Sequence, residues 1–340
     1  MTRVSMVCFL VLAGWACKPS ETVVVYTSVD DVFARPIAEQ FQRETGIIVR
    51  LVPDTEETKS TGLVNRLLAE KARPQADVFW SGDPVRAAIL KARGVSAAYH
   101  SPAADGLPKE FSDPDGYWTG FSARARVLIY NTELVTPEEA PGSVLELADE
   151  RFRGRACLAN PLFGTTSMHA AALFEALGDE KARAFFEAFA RSGGRLVSSN
   201  GEVRRRVAGG DCAVGVTDTD DAAVARREGK PIGIVYPDAN GMGTLIVPNC
   251  AVLIAGAPHP EAARSFIDYL LRPETERRLA ESEAAQMPLR PGVPLPPDVV
   301  PIQKIRPLSV DYAMLGAKLE RLSQGYLKTW VDTSAAGGDR

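Results

Sequence analysis

Two apolar rhythms alternate along the chain from residue 22 onward, and their order predicts the architecture. The runs at 22–26, 47–52 and 76–80 are short, β-branched and nearly continuous in apolar residues, as strands buried on both faces are. After each comes a stretch of helical period, at 32–44, 62–72 and 84–93, with Thr45-Gly46 and Gly94 as stop signals for the first and third. Strands alternating with helices of this length predict a parallel sheet with right-handed crossovers.

The rhythm breaks in a segment rich in Pro, Gly and Asp at 100–116, and residues 119–131 then read as one long strand with no helix behind it. That strand is expected to cross into a second α/β unit. The second unit has strands at 155–160 and 195–199, helices at 166–177, 181–191 and 202–208, and the run Val214-Gly-Val-Thr-Asp-Thr-Asp-Asp221 leading into a helix. A long strand at 243–254 returns the chain, followed by helices at 260–271 and 274–282 and a single terminal helix at 312–330. The expected fold is α/β and two-lobed: two mostly parallel sheets joined by two crossing strands. Residues 21–121 with 250–340 would form one lobe and 122–249 the other. In open α/β sheets ligands bind outside the carboxyl ends of the strands, and both sets of ends face one cleft here.

Composition narrows the function classes. With 340 residues, 45% hydrophobic and 24% charged, the chain has the make-up of an ordinary globular protein, and its net charge of −4 argues against a nucleic-acid surface. Residues 1–20 read as a signal peptide: Arg3, an apolar run at 4–13, and Gly14-Trp-Ala16 ahead of Cys17. Cys17 stands where a bacterial lipoprotein carries its acylated cysteine. Cys157, Cys212 and Cys250 lie in strand-like runs and are expected as buried, unreactive thiols, with at most one bridge among them. There is no Cys-x-x-Cys, and His100, His169 and His259 are far apart in sequence, so no zinc signature is present.

The candidate ligand-binding residues sit mainly at strand ends. Thr27, Ser28 and Asp30 precede a helix, where hydroxyls and main-chain N–H groups grip an anion, although a plain N-cap needs only one of them. Trp80 and Ser81 end the third strand, with the indole placed to stack on a ligand, while Asp83-Pro84 reads as N-cap and first helical residue. Ser122, Arg124 and Arg126 lie on the crossing strand. By period two the arginines share a face, suited either to a carboxylate or phosphate ligand or to an ion pair across the hinge. Gly164, Thr165 and Thr166 at a helix start form an anion site or an ordinary cap, and Asn200 has the same two readings. Asp218, Thr219, Asp220 and Asp221 carry more acid than a cap requires. Mutual repulsion among them calls for a positive partner: an arginine, an amine on the ligand, or a metal held by Asp218 and Asp220. Glu56, Glu57 and Lys59 read as a solvated loop.

Several motifs together resemble a known family: Val24-Val-Tyr-Thr-Ser28, Phe41-x-x-Glu-Thr-Gly-Ile47, Ala76-Asp-Val-Phe-Trp-Ser81, Ser122-x-Arg-x-Arg-Val-Leu-Ile-Tyr-Asn131 and Asn200-Gly-Glu202. The chain is similar to the bacterial extracellular solute-binding proteins of ABC uptake transporters, type II periplasmic-binding fold, and within them to the ferric-ion-binding group. The resemblance implies a substrate-binding component that traps a small polar solute by hinge closure and presents it to an inner-membrane ABC permease. It also implies a monomer in the periplasm, tethered there where Cys17 is acylated, with no nucleic-acid partner. No cofactor is expected beyond a metal ion carried as the ligand. Ferric-binding members typically present two adjacent tyrosines where this chain has Thr219-Asp220. Many have a histidine where it has Asp30, and a glutamate where it has Gly82-Asp83. The ligand is therefore either a ferric or other hard cation with an anion, or an amine-bearing zwitterion such as an aminophosphonate. An enzyme is not expected, since Gly-x-Ser-x-Gly, His-Glu-x-x-His and a Walker loop are absent. The rival readings are a ligand sensor for a receptor and an enzyme on the same scaffold with Cys157 as nucleophile.

Overall fold

The computed structural model describes residues 21–54 and 61–337. Cys17 and the signal segment, like Glu56, Glu57 and Lys59, lie outside the described residues. The first unit follows the apolar rhythm closely. Strands β1 (Thr22–Thr27), β2 (Ile48–Pro53) and β3 (Val78–Ser81) are parallel, with helices α1 (Asp31–Thr45), α2 (Thr61–Ala69) and α3 (Pro84–Ala92) following them in turn. A two-residue strand, β4 (Ser96–Ala97), precedes the long β5 (Thr119–Asn131), which is buried along its whole length.

The second unit runs β6 (Ala156–Ala159), α4 (Gly164–Leu177), α5 (Asp179–Arg191), β7 (Arg195–Val197), α6 (Asn200–Ala208), β8 (Val214–Asp218), α7 (Thr219–Arg227) and β9 (Ile232–Val235). The chain returns along β10 (Ile246–Ile254) and ends in α8 (Pro260–Leu270), α9 (Pro273–Glu281), α10 (Tyr312–Gln324) and α11 (Tyr326–Gly337).

All these strands form one curled sheet in the order β2-β1-β3-β10-β5-β8-β6-β7, with β4 beside β10 and β9 beside β5. β5 and β10 are antiparallel to each other and to β8 and β3, so an antiparallel pair joins two parallel half-sheets. Both joining strands are irregular at one level. Ser122 on β5 has φ 38°, and the β5–β10 register shifts between Pro248 and Asn249. A positive φ at a buried non-glycine residue requires compensation. Here Glu276 of α9, itself fully buried, accepts the Ser122 N–H at 2.9 Å and that of Leu289 at 2.8 Å, and Asn249 Nδ2 donates to the Ser122 carbonyl at 3.2 Å.

Three sequence expectations are corrected. The terminal helix is two helices, broken at Gly325. α10 packs on α3 and α4, while α11 reaches α5, where Trp330 Nε1 donates to the Phe186 carbonyl at 3.0 Å. The strand β9 was not foreseen, because Gly233 interrupts its four residues; it pairs antiparallel with β5. Finally, Cys157 and Cys212 are not free thiols but a disulfide, their Cα atoms 6.1 Å apart. The cysteine-nucleophile reading thus loses its named thiol, and Cys250 is buried, which pushes its thiol pKa up and keeps it protonated.

The bridge ties β6 to the turn that leads into β8. With a sequence separation of 55, chain-entropy arguments give it roughly 4 kcal/mol of stability. Replacing both residues, Cys157→Ala with Cys212→Ala, is expected to lower the unfolding free energy by an amount of that order, with a lower urea midpoint and a slope no smaller than that of the wild type, since the unfolded chain is released from its cross-link. Equilibrium unfolding followed by circular dichroism checks it.

Candidate functional site

The site begins with a cross-strand pair. On β8 the period of two sends Val214 and Val216 into the core and brings Asp218 to the strand end. In the antiparallel register Asp218 stands directly opposite Arg126 of β5, as Val216 stands opposite Leu128. Arg126 is fully buried and donates from Nη1 to Asp218 Oδ1 at 2.8 Å. The same nitrogen reaches Thr165 Oγ1 at 3.0 Å and Asn200 Oδ1 at 3.1 Å, while Nη2 reaches Thr166 Oγ1 at 3.3 Å. The second Asp218 oxygen accepts from Thr165 Oγ1 at 2.6 Å and Asn200 Nδ2 at 3.3 Å. Arg126 Nε points at His169 Nδ1, 3.4 Å away; burial and then the Arg126 charge push His169 down to about 3, so its ring is neutral. Asp218 is held below the ordinary carboxylate range, because the pull of Arg126 and Arg124 outweighs the burial that raises it. These bonds weld the starts of α4, α6 and α7 to β5.

Arg124, two residues earlier on the same face, is used differently. Its side chain is only 8% exposed, and its Nη2 donates to the carbonyl of Gly82, the residue that follows β3. Nη1 lies 3.8 Å from Asp218 and 3.7 Å from Asp220, too far for hydrogen bonds. Nε has no partner among the described residues. Gly82 permits this approach, since a Cβ there would sit 3.2 Å from Arg124 Nη2.

Arg124 opens onto a cavity of about 50 Å³ between the carboxyl ends of the two half-sheets. Ser28 and Asp30 line it from the first unit; Gly164, Thr165, Thr166, Asn200, Asp218 and Asp220 line it from the second. The helices α1, α4, α6 and α7 all begin at this cavity. Neither α4 nor α7 is capped by the side chain of its N-cap residue, and although Asp220 Oδ1 accepts the Asp221 N–H at 3.0 Å, the dipoles of both helices add positive potential. The hydroxyls of Thr165 and Thr166 are therefore not caps; they are spent on Asp218 and Asn200. Asp220 is the costly member. Burial, reinforced by Asp221, Asp218 and Asp30 against the pull of Arg124, raises its pKa to about 8.

Five expected ligand contacts do not reach this cavity. Trp80 is fully buried, packed on Phe121 and Phe266 with ring centroids 5.9 and 6.5 Å away, because β3 is covered on both faces. Thr27 Oγ1 donates to the Trp80 carbonyl at 3.0 Å, and Ser81 Oγ to the Asp83 carbonyl at 2.6 Å. Ser122 sits in the strand irregularity, and Thr219 Oγ1 accepts the Ala125 N–H at 3.2 Å. Asp83 caps α3, as its sequence predicted. Sequence reasoning missed Gly82, Asn160, Phe163, Ser198 and Ser199 as lining residues. Asn160 and Ser198 follow strands β6 and β7 directly, the same position that singled out Ser28.

The carboxylates of Asp218, Asp220 and Asp221 come within 4.8 Å of one another, so the metal expectation has the donors it needs in one place. However, both Asp218 oxygens are engaged, Asp221 Oδ2 accepts from Thr217 Oγ1 at 2.8 Å, and Arg124 stands beside the cluster. A cation there would meet a guanidinium in low dielectric.

Asp220 also yields a pH signature. Its folded pKa lies above the unfolded value, so between about pH 4 and pH 8 the folded state holds a proton that the unfolded state has lost. Stability from this group therefore falls as pH rises through that window. Asp220→Asn is expected to raise the melting temperature by several degrees at pH 8 and by much less at pH 5, read by calorimetry at both values.

The comparisons agree with this architecture. The chain is 28% identical over 306 residues to iron uptake protein A1 of Synechocystis sp., covering 86% of this chain and 81% of the relative. It is 27% identical over 351 residues to a candidate 2-aminoethylphosphonate-binding periplasmic protein of Salmonella paratyphi A, covering 98% of this chain and 95% of that one. The crystal structure of iron-bound HitA from Pseudomonas aeruginosa superposes with a TM-score of 0.81 at 22% identity, over 89% of this chain and 98% of HitA, which establishes the two-lobed type II fold. The model of the bacterial extracellular solute-binding proteins matches residues 73–314, and the chain belongs to that family.

Proposed function

We propose that this chain is the substrate-binding component of an ABC uptake transporter, and that its solute is a small zwitterion headed by a phosphonate or phosphate. The observation that carries the reading is Arg124: a buried guanidinium with an unpartnered Nε, opening onto a cavity where four helices begin. A buried charge with unused donors is costly to leave unmatched, and an anion supplies the match. The ammonium of the solute would lie toward Asp220, whose ionisation it favours. The relative named for 2-aminoethylphosphonate supports the same chemistry.

In this reading residues 21–121 with 250–340 form one lobe and 122–249 the other, with the terminal helices packed on both. The boundaries coincide with Ser122 and Asn249, where both joining strands are irregular. The N-terminal segment would export the protein, and Cys17 would tether it to the membrane facing its permease.

A second reading is a hard cation with an anion on Arg124, favoured by the clustering of Asp218, Asp220 and Asp221 and by the iron-binding relatives. Its weakness is the donor set: among the described residues, no tyrosine or histidine lines the cavity. Melting curves of chelator-treated protein with 2-aminoethylphosphonate, inorganic phosphate or ferric citrate separate the two. The phosphonate is expected to raise the melting temperature equally with and without EDTA. Arg124→Gln should weaken its binding about 10- to 150-fold, the loss of a hydrogen bond to a charged group. A response to ferric citrate alone, abolished by EDTA, overturns the phosphonate reading.

A further inference from the structure

The inner cavity is small. At roughly 10–15 Å³ for each water-sized group, its volume of about 50 Å³ accepts a head group and little more. The rest of any ligand must extend outward, and a second chamber of about 240 Å³ adjoins it there. The two chambers share Asp30, Asp220 and Asp221 as a common wall. Beyond that wall the outer chamber is lined by Arg204 and Arg205 of α6 and by Val32 and Phe33 of α1.

The two arginines differ from their neighbour. Arg206 is paired with Glu202 at 2.8 Å, whereas the side chains of Arg204 and Arg205 have no hydrogen bond or ion pair among the described residues. Glu283 is the acid of the outer wall, and neither arginine is bonded to it. Going outward, the charges alternate: Arg124 and the helix starts, then the aspartates, then Arg204 and Arg205. A ligand with one anionic group would use only the first two layers.

We propose that the solute carries a second anionic group beyond its ammonium, and that Arg204 and Arg205 receive it. The class this describes is an α-amino acid whose side chain ends in a phosphonate or phosphate, with the carboxylate outermost. This inference rests on the reading of Arg124 as the head-group site. Its own content is the carboxylate and the two residues that select for it. Guanidinium groups suit this role, since their fork geometry matches a carboxylate with two parallel bonds.

Isothermal titration of the full-length protein with three probes tests it: ethylphosphonate, 2-aminoethylphosphonate and 2-amino-3-phosphonopropionate. The carboxylated probe is expected to bind about tenfold more tightly than 2-aminoethylphosphonate, a difference of about 1.4 kcal/mol. The double variant Arg204→Gln with Arg205→Gln should erase that difference while leaving the affinity for 2-aminoethylphosphonate within about twofold. Arg204 is half-buried and Arg205 exposed, so the variant is expected to fold, and its melting curve verifies this. Equal affinity for the two amino-phosphonates in the wild-type protein, or a variant that retains the preference, overturns the inference and leaves the head-group reading intact. Failure of all three probes to bind overturns the head-group reading, and this inference with it.

Discussion

A buried guanidinium and a buried carboxylate face each other across β5 and β8, and the site is assembled around that contact. Arg126 and Asp218 are placed opposite by strand register alone, so the pair exists only if β8 enters the sheet in this alignment. A slip of one residue would send Asp218 to the other face and leave Arg126 as an unmatched charge in the core, which costs about 3–5 kcal/mol. The pair is therefore a register lock. Thr165, Thr166 and Asn200 saturate its remaining donors and acceptors, and in doing so they fix where α4 and α6 begin.

The division of labour between the two arginines follows from position. Arg126 lies within the paired part of β8 and has its bonds supplied by the protein. Arg124 lies just past the end of β8, opposite Val247 of β10, where no acid stands across from it. It is left with long contacts to Asp218 and Asp220 and a single bond to Gly82. The same feature makes Asp220 expensive: it shares a buried corner with other acids and meets Arg124 only at 3.7 Å, without a hydrogen bond. Proteins tolerate such imbalance where a ligand restores it.

Much of this was legible in the sequence. The long strand at 119–131 was bounded correctly because every position in it had to be buried, and period two put Arg124 and Arg126 on one face. The acid run after Val216 stood out because its charge exceeded any capping need. What failed was side-chain direction at the ends of strands buried on both faces. Trp80 and Ser28 both lie at a carboxyl end, yet only Ser28 lines the cavity, since α8 and β5 cover the indole through Phe266 and Phe121. The pairing of Cys157 with Cys212 was equally hidden, because it depends on β6 lying beside β8, a tertiary fact. Helical periodicity ran unbroken through Gly325, so the bend between α10 and α11 had no local signal stronger than a single glycine.

The paired irregularity at Ser122 and Asn249 has a mechanical consequence. Two adjacent strands that yield at the same level define a single axis, like a door hung on two pins in line. In the two-lobed reading proposed above, the halves of the sheet would turn about that axis rather than slide or twist apart. Arg124 sits two residues beyond the Ser122 pin, and its hydrogen bond to Gly82 joins it to the opposite half. Turning about the axis must stretch that bond before it disturbs the Arg126–Asp218 lock, since the lock lies entirely on one side. The residue proposed to meet the solute would thus also be the first to feel the door move.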